Sequence, residues 1–267
     1  MARQPAIYLP HGGGPCFFMD PPAEEPTRWL AMEQYLRRIP SLLPAKPDAL
    51  LVVSAHWEMP RPTLLTAAHP ELLFDYYNFP AHTYRLTYPA PGAPALAARV
   101  RTLLAAAGID SDEDSRRGYD HGIFIPLKVA FPDADIPILQ MSMQQSLDPA
   151  FHIAVGRALA GLRDDNILII GSGLSFHNLR ALGDPAAVAP GRAFDRWMTE
   201  VLCDGPLAER ETRLTDWSEA PGARIVHPRE DHLLPLMVAA GAGSGDEGHH
   251  AFSGTIWGKA VSAFHFG

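Results

Sequence analysis

Histidine is the chemistry-bearing residue of this sequence, with 12 in 267 positions. A neutral imidazole binds transition metals, and it exchanges a proton near pH 6.5. His11 follows Tyr8-Leu9-Pro10 and precedes Gly12-Gly13-Gly14. His56 sits in Val53-Ser54-Ala55-His56-Trp57, and His177 in Gly171-Ser172-Gly173-Leu174-Ser175-Phe176-His177-Asn178. His121 follows Asp120, a natural helix N-cap, and His232 follows Glu230-Asp231 at the head of an apolar run. Imidazoles gathered at one place could hold a metal ion, move protons, or both. Singly, His11 or His56 also reads as a structural or exposed residue. The shared setting favours a metal or catalytic role. His69, His82, His152, His227, His249, His250 and His265 lack it and are expected mostly on the surface, with His82 and His227 as candidates for a pocket wall.

The glycines beside His11 and His177 are expected to let the backbone turn and to leave room for a bound molecule. Gly12–Gly14 complete neither GxxxxGK[ST] nor G-x-G-x-x-G, which argues against a phosphate loop. Cys16 and Cys203 make neither a CxxC motif nor a disulfide framework.

Four short apolar runs, at 6–9, 49–53, 136–141 and 167–170, read as buried strands. Pro94 to Ala107 and Pro149 to Leu162 carry helical spacing, and Pro94 suits a first turn. The stretch from Phe252 to Phe266 is a possible closing strand without an assigned place. Strands alternating with helices predict an α/β fold in a single domain over residues 1–267, with a central, largely parallel or mixed sheet flanked by helices on both faces. In such sheets ligands bind beyond the carboxyl ends of the strands, where His11, His56 and His177 are expected to meet.

The chain has 30 acidic and 22 basic residues, a formal net charge of -8, which disfavours a large nucleic-acid face. No apolar run is long enough for a bilayer and no secretory signal is visible, so a cytoplasmic protein is expected.

Leu9-Pro10-His11-Gly12-Gly13, Ser54-Ala55-His56-Trp57, Tyr88-Pro89-Ala90-Pro91-Gly92, Asp120-His121-Gly122, His177-Asn178-Leu179 and the segment around His232 occur together and in this order. In this set the sequence resembles the class III extradiol dioxygenases, which include the protocatechuate 4,5-dioxygenase catalytic subunit and the DOPA 4,5-dioxygenases. The resemblance covers nearly the whole chain. It implies metal ligation by His11, His56 and His232, with His177 as catalytic base and a possible fourth ligand in a zinc-loaded site. His121 would bond the bound oxygen or substrate and deliver a proton. The third ligand is a glutamate in the protocatechuate branch and a histidine in the DOPA branch, so this chain resembles the latter. Glu230 is a weaker alternative for a carboxylate ligand. Thr87 stands where part of that branch has histidine before Tyr-Pro-Ala-Pro-Gly, a departure that leaves the particular catechol open.

The resemblance further implies iron(II) as the working ion, with zinc(II) as a possible occupant of purified protein, because zinc lacks the redox chemistry of oxygen activation. Partners would be a small catechol-type aromatic and dioxygen, with the chain a monomer or homodimer. A catechol brings two adjacent oxygens and dioxygen needs another position, so protein donors must leave sites open. Trp57, Phe17, Phe18, Tyr119 and Phe176, next to the motif histidines, are the expected walls for a flat substrate, though each also reads as ordinary core. A zinc-dependent hydrolase and a non-catalytic metal-binding protein on the same fold are the alternatives.

Overall fold

Ile, Leu and Val fill runs that are buried on both sides, and these runs form the centre of one eight-stranded sheet. The computed structural model describes residues 2–267. Its strands are β1 (Ala6–Pro10), β2 (Ala49–Met59), β3 (Thr63–Leu65), β4 (Asp112–Asp114), β5 (Ile138–Gln144), β6 (Ile167–Gly173), β7 (Gly248–Ile256) and β8 (Lys259–Phe266). They lie in the order β4-β3-β5-β2-β6-β1-β8-β7. The central β5, β2, β6 and β1 are mutually parallel, whereas β3 pairs antiparallel with β5 and β8 antiparallel with β1. The sheet is therefore mixed, with a parallel heart.

The helices are α1 (Leu30–Leu42), α2 (Pro94–Ala106), α3 (His121–Ala130), α4 (Pro149–Leu159), α5 (Val188–Thr199), α6 (Leu207–Thr215), α7 (Ala223–Val226) and α8 (Leu234–Ala242). Alternation along the strands divides the core in two. Tyr8, Leu51, Val53, Leu139 and Ile169 face α2, α4 and α8. Ile7, Leu9, Leu50, Val52, Leu168 and Ile170 face α1 and α3. At about 25 cal/mol per Å² of apolar area, covering both faces is the main stabilising term.

The four expected strands are β1, β5, β6 and β2, with shifted ends. The two expected helices are α2 and α4, and the latter passes into 3-10 turns at Ala160–Asp165. The C-terminal stretch forms the β7–β8 hairpin, with β7 at the edge of the sheet and β8 between it and β1. Helix α1 buries Met32, Tyr35, Leu36 and Ile39 at helical spacing, yet Pro40 within its last turn makes the segment read as a breaker.

Candidate metal centre and its cleft

The carboxyl ends of β1 and β6 share a rim, because the two strands pair in parallel from Ala6↔Ile169 to Pro10↔Gly173. His11 comes next, and its N–H donates to the Gly173 carbonyl at 3.0 Å. Gly12 then takes φ +84°, and a Cβ there would lie 2.3 Å from Cys16 Sγ, so the turn behind His11 needs glycine. His56 does not follow β2 but lies within it, in a stretch where the register with β5 shifts between Val53 and Glu58. Such an irregularity re-aims side chains.

His232 comes from no strand end. Its carbonyl accepts from the Tyr8 hydroxyl at 2.8 Å and from the Leu174 N–H at 3.1 Å. A Cβ on Gly173 would lie 2.2 Å from that same oxygen. Gly173 was expected to turn the chain ahead of His177; instead it lets the His232 segment lie against the tip of β6.

His11, His56 and His232 thereby offer ring nitrogens within 4.8 Å of one another. The Nε2 atoms of His11 and His56 are 3.3 Å apart. Two nitrogens that share one ion at about 2.0–2.1 Å each are themselves separated by roughly 3 Å. His11 and His232 are only 1% and 3% exposed, and His11 Nδ1 and both ring nitrogens of His232 lack a hydrogen-bond partner. Buried polar atoms are normally satisfied, so this donor set fits a cation. Burial first, and then the charge of neighbouring imidazoles, pushes the pKa of His11, His56 and His232 well below the ordinary value. All three are held neutral, the state a ligand requires.

Two further imidazoles flank this point. His121 lies 3.9 Å from His56 between ring centroids. Its Nδ1–H donates to Asp75 Oδ1 at 2.8 Å, and its backbone N–H donates to the same oxygen at 2.9 Å. His177 stacks on His232 at 3.3 Å between centroids, with its Nδ1 3.9 Å from Asp231. Burial lowers the His177 pKa, Asp231 opposes that shift and His121 adds to it. Asp120 holds the N-cap position of α3 without capping it. Its carboxylate instead accepts from Ser54 at 2.7 Å, from Arg117 at 3.1 Å and from Gln140, binding β2 and β5 to the start of α3. Burial first, then Asp75, raises the Asp120 pKa, against the lowering effect of Ser54 and Arg117.

All five of these histidines line one cleft of about 560 Å³. Trp29, Tyr76, Phe79, Phe176 and Trp257 are among its aromatic walls. Of the five aromatic residues expected there, Phe176 is in place and Trp57, Phe17, Phe18 and Tyr119 are not. Neighbours along a strand face opposite ways, so Trp57 turns away from His56 and packs under Arg117, whose guanidinium carbon is 4.7 Å from the ring centre. Tyr119 is fully buried, its hydroxyl shared between the Pro91 and Ile138 carbonyls. Phe17 packs edge-on to Trp29, and Phe18 lies beside Lys128.

The segment Asp75-Tyr76-Tyr77-Asn78-Phe79 lay outside every sequence motif, although its aromatic density was a usable signal. Glu230 pairs with Arg224 at 2.7 Å and is absent from the cleft wall. His82 and His227 are absent from it too. His227 is buried with its ring on the Ser175 carbonyl. His152 and His265, expected on the surface, are buried.

A parallel-centred α/β sheet with neutral imidazoles at its rim, beside an aromatic cleft, defines a candidate metal-site protein open to a flat small molecule. Residues 5–263 match the family described as the catalytic LigB subunit of aromatic ring-opening dioxygenase. The chain belongs to this family. Its relatives include a dioxygenase, tasH, of Hapsidospora irregularis, 37% identical over 284 residues that span 100% of this chain and 86% of that one. The 4,5-DOPA dioxygenase extradiol of Beta vulgaris is 42% identical, over 74% of each chain. That of Escherichia coli K12 is 36% identical, over 92% of this chain and 87% of the other. The crystal structure of an uncharacterized protein from Escherichia coli K12 superposes with a TM-score of 0.76 at 28% identity, covering 99% of this chain and 100% of that one. Among the described residues, no helix is long and apolar enough to cross a membrane.

Proposed function

We propose that the protein is a non-haem iron(II) extradiol dioxygenase that opens the ring of a catechol with both atoms of dioxygen, the whole chain acting as one catalytic domain. The observation that carries this reading is the meeting of three neutral imidazoles, His11, His56 and His232, on the wall of an aromatic cleft that His121 and His177 share. These three residues would hold the ion. Bound iron(II) supplies the electron path between catecholate and dioxygen that ring opening needs.

The chain's own residues do the rest. His177, kept neutral by burial, takes a proton from a catechol hydroxyl. The Asp75 bond fixes His121 with its proton on Nδ1 and leaves Nε2 free to exchange a proton with the reacting oxygens. Phe176 and the walls at Trp29, Tyr76 and Trp257 sandwich the ring and exclude water.

The test is anaerobic reconstitution with iron(II), followed by a panel of catechols scored by oxygen consumption and by a new visible-absorbing product. Catechol-dependent uptake of one dioxygen per ring opened is expected. Verified iron loading with no uptake across the panel overturns the reading, and ester or amide hydrolysis by the zinc form without oxygen would put a hydrolase in its place.

A further inference from the structure

Asp75 holds the ring of His121, and His177 has a carboxylate of its own close by. Asp231 is absent from the cleft wall that His177 and His232 line, so it is set back from the place a substrate takes. Its Oδ1 is buried without a hydrogen-bond partner and lies 3.9 Å from His177 Nδ1. Buried carboxylate oxygens are normally satisfied. Its Oδ2 lies 3.5 Å from Arg229 Nη1 and 3.2 Å from His232 Nδ1, yet that ring nitrogen also lacks a hydrogen-bond partner. The main chain on both sides of the pair is pinned. Asp231 sits in a turn closed by the Leu233 and Leu234 N–H groups, which donate to the Glu230 carbonyl at 2.8 and 3.0 Å. Arg229 is clamped by both oxygens of Glu58, at 2.6 and 2.5 Å, from the stretch of β2 that carries His56. Opposite, the His177 N–H donates to the Val226 carbonyl at 3.2 Å, and the Asn178 side chain donates to the Ile225 carbonyl at 2.7 Å. Rotation of the His177 ring is the freedom that remains. A separation of 3.9 Å is too long for a hydrogen bond, but catalytic bonds of this kind commonly tighten only once substrate is seated.

We propose that Asp231 is the positioning residue of the base: once catechol is bound, its Oδ1 accepts from His177 Nδ1–H, which fixes the ring and leaves the Nε2 lone pair to take the hydroxyl proton. The inference rests on the ring-opening reading for the role of His177. The proton passes from the catechol oxygen to Nε2, the Nδ1 proton stays in place, and the imidazolium so formed faces a carboxylate. His121 and Asp75 make the same kind of pair, already closed at 2.8 Å.

The test is a double-mutant cycle of Asp231→Asn with His177→Ala, at matched metal content and with urea melts to verify folding. Asparagine keeps the shape of the side chain and removes its charge. In the iron-loaded protein, Asp231→Asn alone should lower kcat about 10-fold or more, the scale of a bond to a charged group, with KM nearly unchanged. In the His177→Ala background the same change should alter kcat by less than about 2-fold, because the ring it acts through is gone. The cycle is also read without turnover, from 4-nitrocatechol bound anaerobically to the zinc-loaded protein, since the colour of this probe reports the loss of its hydroxyl protons. The fraction of bound probe with both protons lost should fall on Asp231→Asn in the wild-type background and stay level in the His177→Ala background. An effect of equal size in both backgrounds overturns the proposal, since the carboxylate would then act through His232 or the fold. So does an Asp231→Asn enzyme with wild-type kcat and probe colour. Wild type that takes up no oxygen with any catechol sinks the ring-opening reading instead, and the probe cycle then still decides whether Asp231 acts through His177.

Discussion

Replacing Asp75 with asparagine separates its effect on His121 from its effect on the fold. Asp75 Oδ1 accepts from the His121 ring at 2.8 Å and from its backbone N–H at 2.9 Å, and the second bond satisfies the first donor of α3. Asparagine can still accept from the backbone, but it removes the charge facing Nδ1. A hydrogen bond to a charged group contributes about 1.5–3 kcal/mol, so the loss corresponds to roughly 10- to 150-fold in rate. Asp75→Ala loses the capping bond as well, which costs about 1 kcal/mol more of stability. The expected pattern is a kcat lowered in both variants at matched iron content, with urea stability lowered chiefly in Asp75→Ala. Oxygen-electrode kinetics and denaturant melts measure the two quantities. An Asp75→Asn enzyme within 2-fold of wild type, on the scale of about 10-fold or more expected here, would refute the reasoning. So would equal destabilisation of both variants.

Replacing His232 with phenylalanine should weaken iron and zinc binding by more than about 100-fold in a chelator competition, beyond what loss of an outer partner causes, and His227→Gln should not. Unchanged affinity in His232→Phe would remove it from the donor set. Burial lowers the pKa of His152 to about 4, of His227 to about 3 and of His265 to about 4. Above pH 6.5 these rings are neutral in both folded and unfolded chains. Below it the unfolded chain takes up protons first, so stability should fall from pH 6.5 to about 4 for His152 and His265 and on to about 3 for His227, by up to about 3 kcal/mol for His152, and level off beneath that. Denaturant melts at pH 7 and 5 with equal midpoints would contradict this. Gly12→Ala places a Cβ against Cys16 Sγ at positive φ, and should cost at least about 1–2 kcal/mol and weaken metal binding. The double variant with Cys16→Ala should recover part of the loss, and no recovery would place the strain elsewhere.

The sequence by itself determined the central strands, because only segments buried on both sides need Ile, Leu and Val at nearly every position. It also pointed to the histidines that meet, since His11, His56 and His177 were expected at strand ends, although His56 lies inside β2, and the family resemblance added His121 and His232. It could not determine the far wall of the cleft. Trp29, Asp75, Tyr76 and Lys259 come from segments distant in the chain, and nothing local marks them as neighbours. Sequence adjacency misled for Trp57, because alternation along β2 turns it away from the cleft that His56 enters. His232 reaches the rim only because Gly173 admits its carbonyl between Tyr8 and Leu174. Local pattern fixes what each segment is, through the period with which it buries apolar side chains. Which segments share a site is a matter of long-range packing, where a missing Cβ or a reversed strand face decides what a side chain can touch.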